Sequence, residues 1–150
     1  MLGFVTEATM ADAKGEAEEL MNAALPFAQQ TLTRYGEFFP YAYSMRDDHS
    51  IVMVAGYDGR ERPPSQDVID LLKSGLRTDA AAHRIRATAI VYDVRIVDPA
   101  TGSKSDAIAV ALDHADHYSV VVMFPYTLRD SKLELRAPFA EEGAADIFSR

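Results

Sequence analysis

The sequence predicts an α+β domain in which helices pack on one face of a five-stranded antiparallel sheet, in the order helix, strand, strand, helix, strand, strand, strand. Three observations lead there. Two stretches repeat apolar residues at spacings of three and four, the period of a helix with one buried side. Five others are rich in Val, Ile, Tyr and Phe with strand-like alternation. The turns between consecutive strands are short and polar, as in antiparallel hairpins.

The first helix is expected over residues 7 to 35, where Met21, Ala24, Leu25, Ala28, Leu32 and Tyr35 share a face. Pro26 lacks an amide hydrogen and its ring clashes one turn back, which predicts a kink or two consecutive helices. Gly36 suits the C-terminal cap. Residues 1 to 12 carry little periodicity and are expected to fray. A hairpin follows, with strands at 38 to 46 and 50 to 57 around the polar tip Asp47-Asp48-His49-Ser50. Tyr57-Asp58-Gly59-Arg60 reads as a turn, and Pro63-Pro64 blocks any earlier helix. Ser65 is the expected N-cap of a second helix, with Asp67 complementing its dipole. Its buried stripe would be Val68, Leu71, Leu72 and Leu76, ending near Ala81.

Three strands are expected at 84 to 97, 105 to 113 and 117 to 128, with 133 to 150 as a C-terminal extension. Asp98-Pro99-Ala100-Thr101-Gly102-Ser103 has the residues of a hairpin loop. Matching large side chains pairs Val94 with Ile108, Tyr92 with Val110 and Ile90 with Leu112. Ala87, Ala89, Ala107, Ala109 and Ala111 would then line the opposite face, small enough for helices to approach. The large-residue face needs cover of its own. Either residues 133 to 148 fold back over it or a second copy does, and the apolar area predicts a homodimer.

A chain of 150 residues fits one domain that buries roughly two thirds of its unfolded surface. Hydrophobic residues at 48% and charged residues at 25% are globular values. No apolar run approaches the roughly 20 residues of a spanning helix. The opening MLGFVTEATMADAKGEAEEL lacks a basic segment, so no signal peptide is expected and the location would be cytoplasmic. The absence of cysteine removes disulfides, thiolate nucleophiles and Cys-ligated metals. A net charge of -8 argues against nucleic acid or an anionic membrane and would suit a basic protein partner. The short basic run His83-Arg84-Ile85-Arg86 reads as the opening of a strand.

Segments PPSQDVIDLLKSGLR, RATAIVYDVRI and DAIAVALDHADHYSVVVMFPY resemble those of a family of bacterial proteins of about this length with no assigned activity. The element order also resembles the roadblock and profilin-like folds, a likeness of topology whose functions do not transfer. Their strand order, 2-1-5-4-3, would bring the tip at 47 to 49 beside the stretch DHADHY. His49, His114 and His117 would then meet Asp48, Asp113 and Asp116, a set able to hold a divalent transition metal or to do acid–base chemistry. The plainer reading is two solvated turns, because Asp and His satisfy turn backbone and tolerate left-handed conformations. No GxGxxG, GxxxxGK[ST] or GxSxG occurs. Asp93 and Arg95 read as a same-face ion pair, and Phe38, Phe39, Tyr41 and Tyr43 as core or the lining of a ligand groove. The leading functional expectation is a non-enzymatic binding or interaction domain that self-associates through an apolar sheet face, without a cofactor. A small metal-dependent enzyme and a small-molecule sensor are the alternatives.

Overall fold

In the computed structural model residues 2–55 and 59–149 are described, with side chains from Asp12 onward. Tyr57 and Asp58, half of the expected turn, fall outside this range; residues 2 to 12, expected to fray, are helical. The chain runs α1 (Leu2–Tyr35), β1 (Tyr41–Arg46), β2 (Ile51–Ala55), α2 (Ser65–Ala81), β3 (Ile85–Val97), β4 (Lys104–His114), β5 (Tyr118–Arg129), β6 (Lys132–Leu135) and β7 (Phe139–Glu142). The class is α+β with an antiparallel sheet, as the periodicities imply. The strand count is seven, not five, and the order is β2-β1-β3-β4-β5-β6, with β7 also on β5. The expected extension thus supplies two short strands that share the outer edge of β5, β6 at Tyr126–Arg129 and β7 at Val120–Met123. The order 2-1-5-4-3 is not realised, because β1 pairs with β3 rather than with β5.

The helices do not share a face. Alternation along each strand sends Ala87, Ala89 and Val91 of β3, and Ile108, Val110 and Leu112 of β4, into one core with Leu20, Ala24, Ala28 and Leu32 of α1. Ile90 of β3 and Ala42 of β1 go to the other side, into a second core with Val68, Leu72 and Leu76 of α2 and Ile147 and Phe148 of the C-terminal segment. Each face has its own cover, so the bare apolar face that motivated a dimer is absent among the described residues.

The hairpin register differs from the expected one by a single residue. Val94 faces Ala107, Tyr92 faces Ala109 and Ile90 faces Ala111. A slip of one flips every side chain of a strand to the opposite face. The turn sets the register: Asp98 N–H donates to Ser103 O at 2.9 Å, and Gly102, at φ 72°, donates its N–H to Asp98 O at 2.7 Å. Between β3 and β4 large residues consequently lie beside alanines on both faces, Leu112 beside Ala89 on one and Ile90 beside Ala111 on the other, and α1, whose buried stripe is Ala13, Ala17, Leu20, Ala24, Ala28 and Leu32, packs in the same core as Ala87 and Ala89.

Helix α1 is continuous through Pro26. The Tyr41 hydroxyl enters its backbone ladder at that level, donating to Ala24 O at 2.5 Å and accepting from Ala28 N–H at 3.0 Å. It bridges Ala24 and Ala28, an i, i−4 pair that straddles Pro26. Burial pushes the Tyr41 phenol well above its ordinary range, so it remains a donor. In α2 the cap position is Pro64 rather than Ser65, which is the first helical residue, and no side-chain hydrogen bond caps the helix. Leu71 is exposed and Ala80 takes its place in the buried stripe. Asp93 and Arg95 do not pair with each other: Asp93 accepts from Tyr126 Oη at 2.8 Å and Arg95 reaches Asp106 at 3.4 Å. No helix among the described residues is long and apolar enough to cross a membrane.

Candidate functional site

The two turns singled out in the sequence do meet at one end of the sheet, with the start of β3 between them. Met45 pairs with Ala87, and Ala87 with His114. The residue at their junction is Glu16 of α1, one turn before Leu20. Its Oε1 lies 2.6 Å from His114 Nε2 and 3.0 Å from Arg86 Nε, and its Oε2 lies 2.9 Å from His49 Nε2. Arg86 also donates to Asp47 O at 3.4 Å, and Arg86 O accepts from Ala115 N–H at 2.9 Å, so each turn is tied to β3.

The chemistry of this cluster is restricted by its hydrogen bonds. Asp116 N–H donates to His114 Nδ1 at 3.0 Å, which leaves the ring proton on Nε2, facing Glu16. His114 is 1% exposed and both of its nitrogens are engaged, so neither is open to a metal or a substrate in this arrangement. Burial acts to raise the Glu16 pKa. The hydrogen bonds from His114, Arg86 and His49 and the charge of Arg86 together outweigh that and hold the carboxyl below its usual range. The cluster is a clamp that fastens α1 to both turns.

The other expected ligands go elsewhere. His117 is exposed in the left-handed region at φ 63°, and Asp48 accepts from Ser50 N–H and Oγ at 2.9 and 2.6 Å. Asp113 points to the opposite sheet face from His114, as strand alternation requires. There it lies between buried Thr88 and half-buried Ser119, at the end of a cavity under α2. Among the described residues no group of three or more His, Cys, Asp or Glu converges as a metal ligand set. Glu16 gave no signal in the sequence beyond its place beside the apolar stripe of α1.

A different surface concentrates apolar side chains. Six large ones are exposed among the described residues, and four of them, Phe27 (40%), Tyr35 (67%), Phe39 (43%) and Met53 (39%), line one groove of about 390 Å³ between the end of α1 and β2. Of the aromatic group at 38 to 43, Phe38 and Tyr41 are core, Tyr43 is half-buried and Phe39 opens on the groove. Phe27 meets Tyr41 edge to face, with ring centroids 4.8 Å apart. No protein-family model, curated protein or solved structure matches the chain.

Proposed function

We propose that the chain is a non-enzymatic interaction module that self-associates, through the edge of β2 and the adjoining aromatic groove rather than through a sheet face. The observation that carries this reading is the contrast between the two edges of the sheet. β2 reads Ile51-Val52-Met53-Val54-Ala55, five apolar residues with no charge, proline or bulge to blunt the edge, and among the described residues it pairs only with β1. The strands at the opposite edge carry such charges, Lys132 and Glu134 in β6 and Glu141 and Glu142 in β7. An unprotected apolar edge is a template for another strand. Antiparallel pairing of β2 with its counterpart in a second copy, about a two-fold axis near Met53, would continue the sheet and bring two aromatic grooves together.

The test is the mass in solution. The chain of 16.5 kDa is expected to sediment as a dimer, and Met53→Lys, which sets like charges opposite each other at the axis, to sediment as a monomer with an unchanged circular dichroism spectrum. A wild-type monomer at high micromolar concentration overturns the reading, as does a Met53→Lys variant that stays dimeric.

A further inference from the structure

We infer that the cavity between α2, the sheet and the C-terminal segment is a binding site for a small zwitterion, one with an ammonium at one end and a carboxylate at the other. The site is independent of the β2 edge. Its volume is about 180 Å³, room for roughly six waters at ~30 Å³ each or one molecule of comparable size. The floor is low because Ala111 lies between Ile90 and Val121, two strands' larger residues flanking a small one.

The two ends of the cavity offer different charged groups, an ammonium at one and a carboxylate at the other. At one end are Lys73 and Tyr92, with Asp146 bound to Lys73 Nζ at 2.7 Å and to Arg77 at 3.2 Å. Of these charged groups Lys73 and Asp146 line the cavity itself, and Arg77 meets Asp146 beyond that lining. Only one of the three Lys73 donors is used by Asp146, so the end favours an anion. Four residues along β4 from the partner of Tyr92, about 13 Å away by strand rise, stands Asp113, buried beside Ser119. That end favours a cation. Ile69, Ile90 and Val121 line the apolar middle, which suits a short methylene chain joining the two charges.

The roof is a strap with separable fastenings. Gly143 N–H donates to Ser119 O at 3.1 Å and Ala145 N–H to Ser119 Oγ at 3.1 Å, while Asp146 is held by Lys73 and by Arg77. A Cβ on Gly143 would lie 2.2 Å from Ser119 Oγ and 2.9 Å from Ser119 C, so only glycine lets the strap close this near to β5. The segment has no helix or internal ladder of its own after Glu142. Releasing the Asp146 ion pairs gives a route in without unfolding the sheet.

The experiment is isothermal titration calorimetry of the full chain with 5-aminopentanoate, against pentanoate and pentylamine, which each keep one charge. Saturable binding of 5-aminopentanoate, at least tenfold tighter than either control and lost in Ala111→Leu, is the expected result. Ala111→Leu fills the cavity, and a melting temperature at or above wild type shows that it folds; Lys73→Met is the second variant, expected to weaken 5-aminopentanoate at least tenfold and leave pentylamine unchanged. The inference fails if 5-aminopentanoate does not bind at millimolar concentration, if the controls bind as tightly, or if binding survives in both variants.

Discussion

Replacing Tyr41 by Phe removes one oxygen atom and keeps the ring, and so isolates the bridge at Pro26. The phenylalanine retains the edge-to-face contact with Phe27 at 4.8 Å and the packing against Phe38. What is lost is the donor to Ala24 O and the acceptor for Ala28 N–H. If that turn of α1 stays open beside Pro26, both backbone groups are left buried without partners. An unsatisfied buried group costs about 1–3 kcal/mol and an ordinary hydrogen bond about 1 kcal/mol net, so the expected loss is about 2–3 kcal/mol. For a domain of this size that lowers the melting temperature by roughly 5–10 °C. Urea denaturation of four proteins, wild type, Tyr41→Phe, Pro26→Ala and the double variant, measures it. In the Pro26→Ala background the ladder can close, so Tyr41→Phe there should cost less than about 1 kcal/mol. Equal costs in the two backgrounds would show that the hydroxyl does not compensate for the proline.

Three further outcomes follow from the same geometry. The Glu16 carboxyl has a folded-state pKa below the ordinary value of 4.5, so its contribution to stability is present above that value and is lost as pH falls through the folded value; Glu16→Gln should be less stable than wild type near neutrality, with the gap narrowing on acid titration, and a constant gap refutes the linkage. Arg136 reaches Asp98, which is 2% exposed, at 3.3 Å, and also Thr127 Oγ1 at 2.6 Å and Ser105 Oγ; Arg136→Ala should cost about 2–4 kcal/mol by stranding that carboxylate, with partial recovery in Arg136→Ala, Asp98→Asn on urea denaturation. Leu20 is fully buried between α1 and the sheet, and Leu20→Ala should cost about 2–5 kcal/mol by the same measurement, a loss under about 1 kcal/mol meaning that α1 does not seal that core.

The long elements were legible because their pattern is local. Val68, Leu72 and Leu76 repeat at helical spacing, and the alternation in β3 to β5 is long enough to fix each strand to within about a residue. The short strands β6 and β7 span four residues each, too few to show alternation, and they exist because β5 offers them an edge. Register depended on the hydrogen bonds of one turn rather than on side-chain size: matching like with like placed Val94 opposite Ile108, whereas Asp98 and Ser103 close the loop with Val97 opposite Lys104. That single slip decides which face Ala107, Ala109 and Ala111 occupy, and with it where a cavity can form. The candidate site was legible by half. Strand direction alone brought the turns of His49 and His114 to one end, even though the assumed strand order was wrong, because β3 runs antiparallel to both β1 and β4. What joins them is a helix carboxylate 33 and 98 residues away in sequence, and no local pattern encodes a contact made by tertiary packing. The same parity separates Asp113 from His114 across the sheet, so the adjacent Asp-His pair that suggested one site contributes to two.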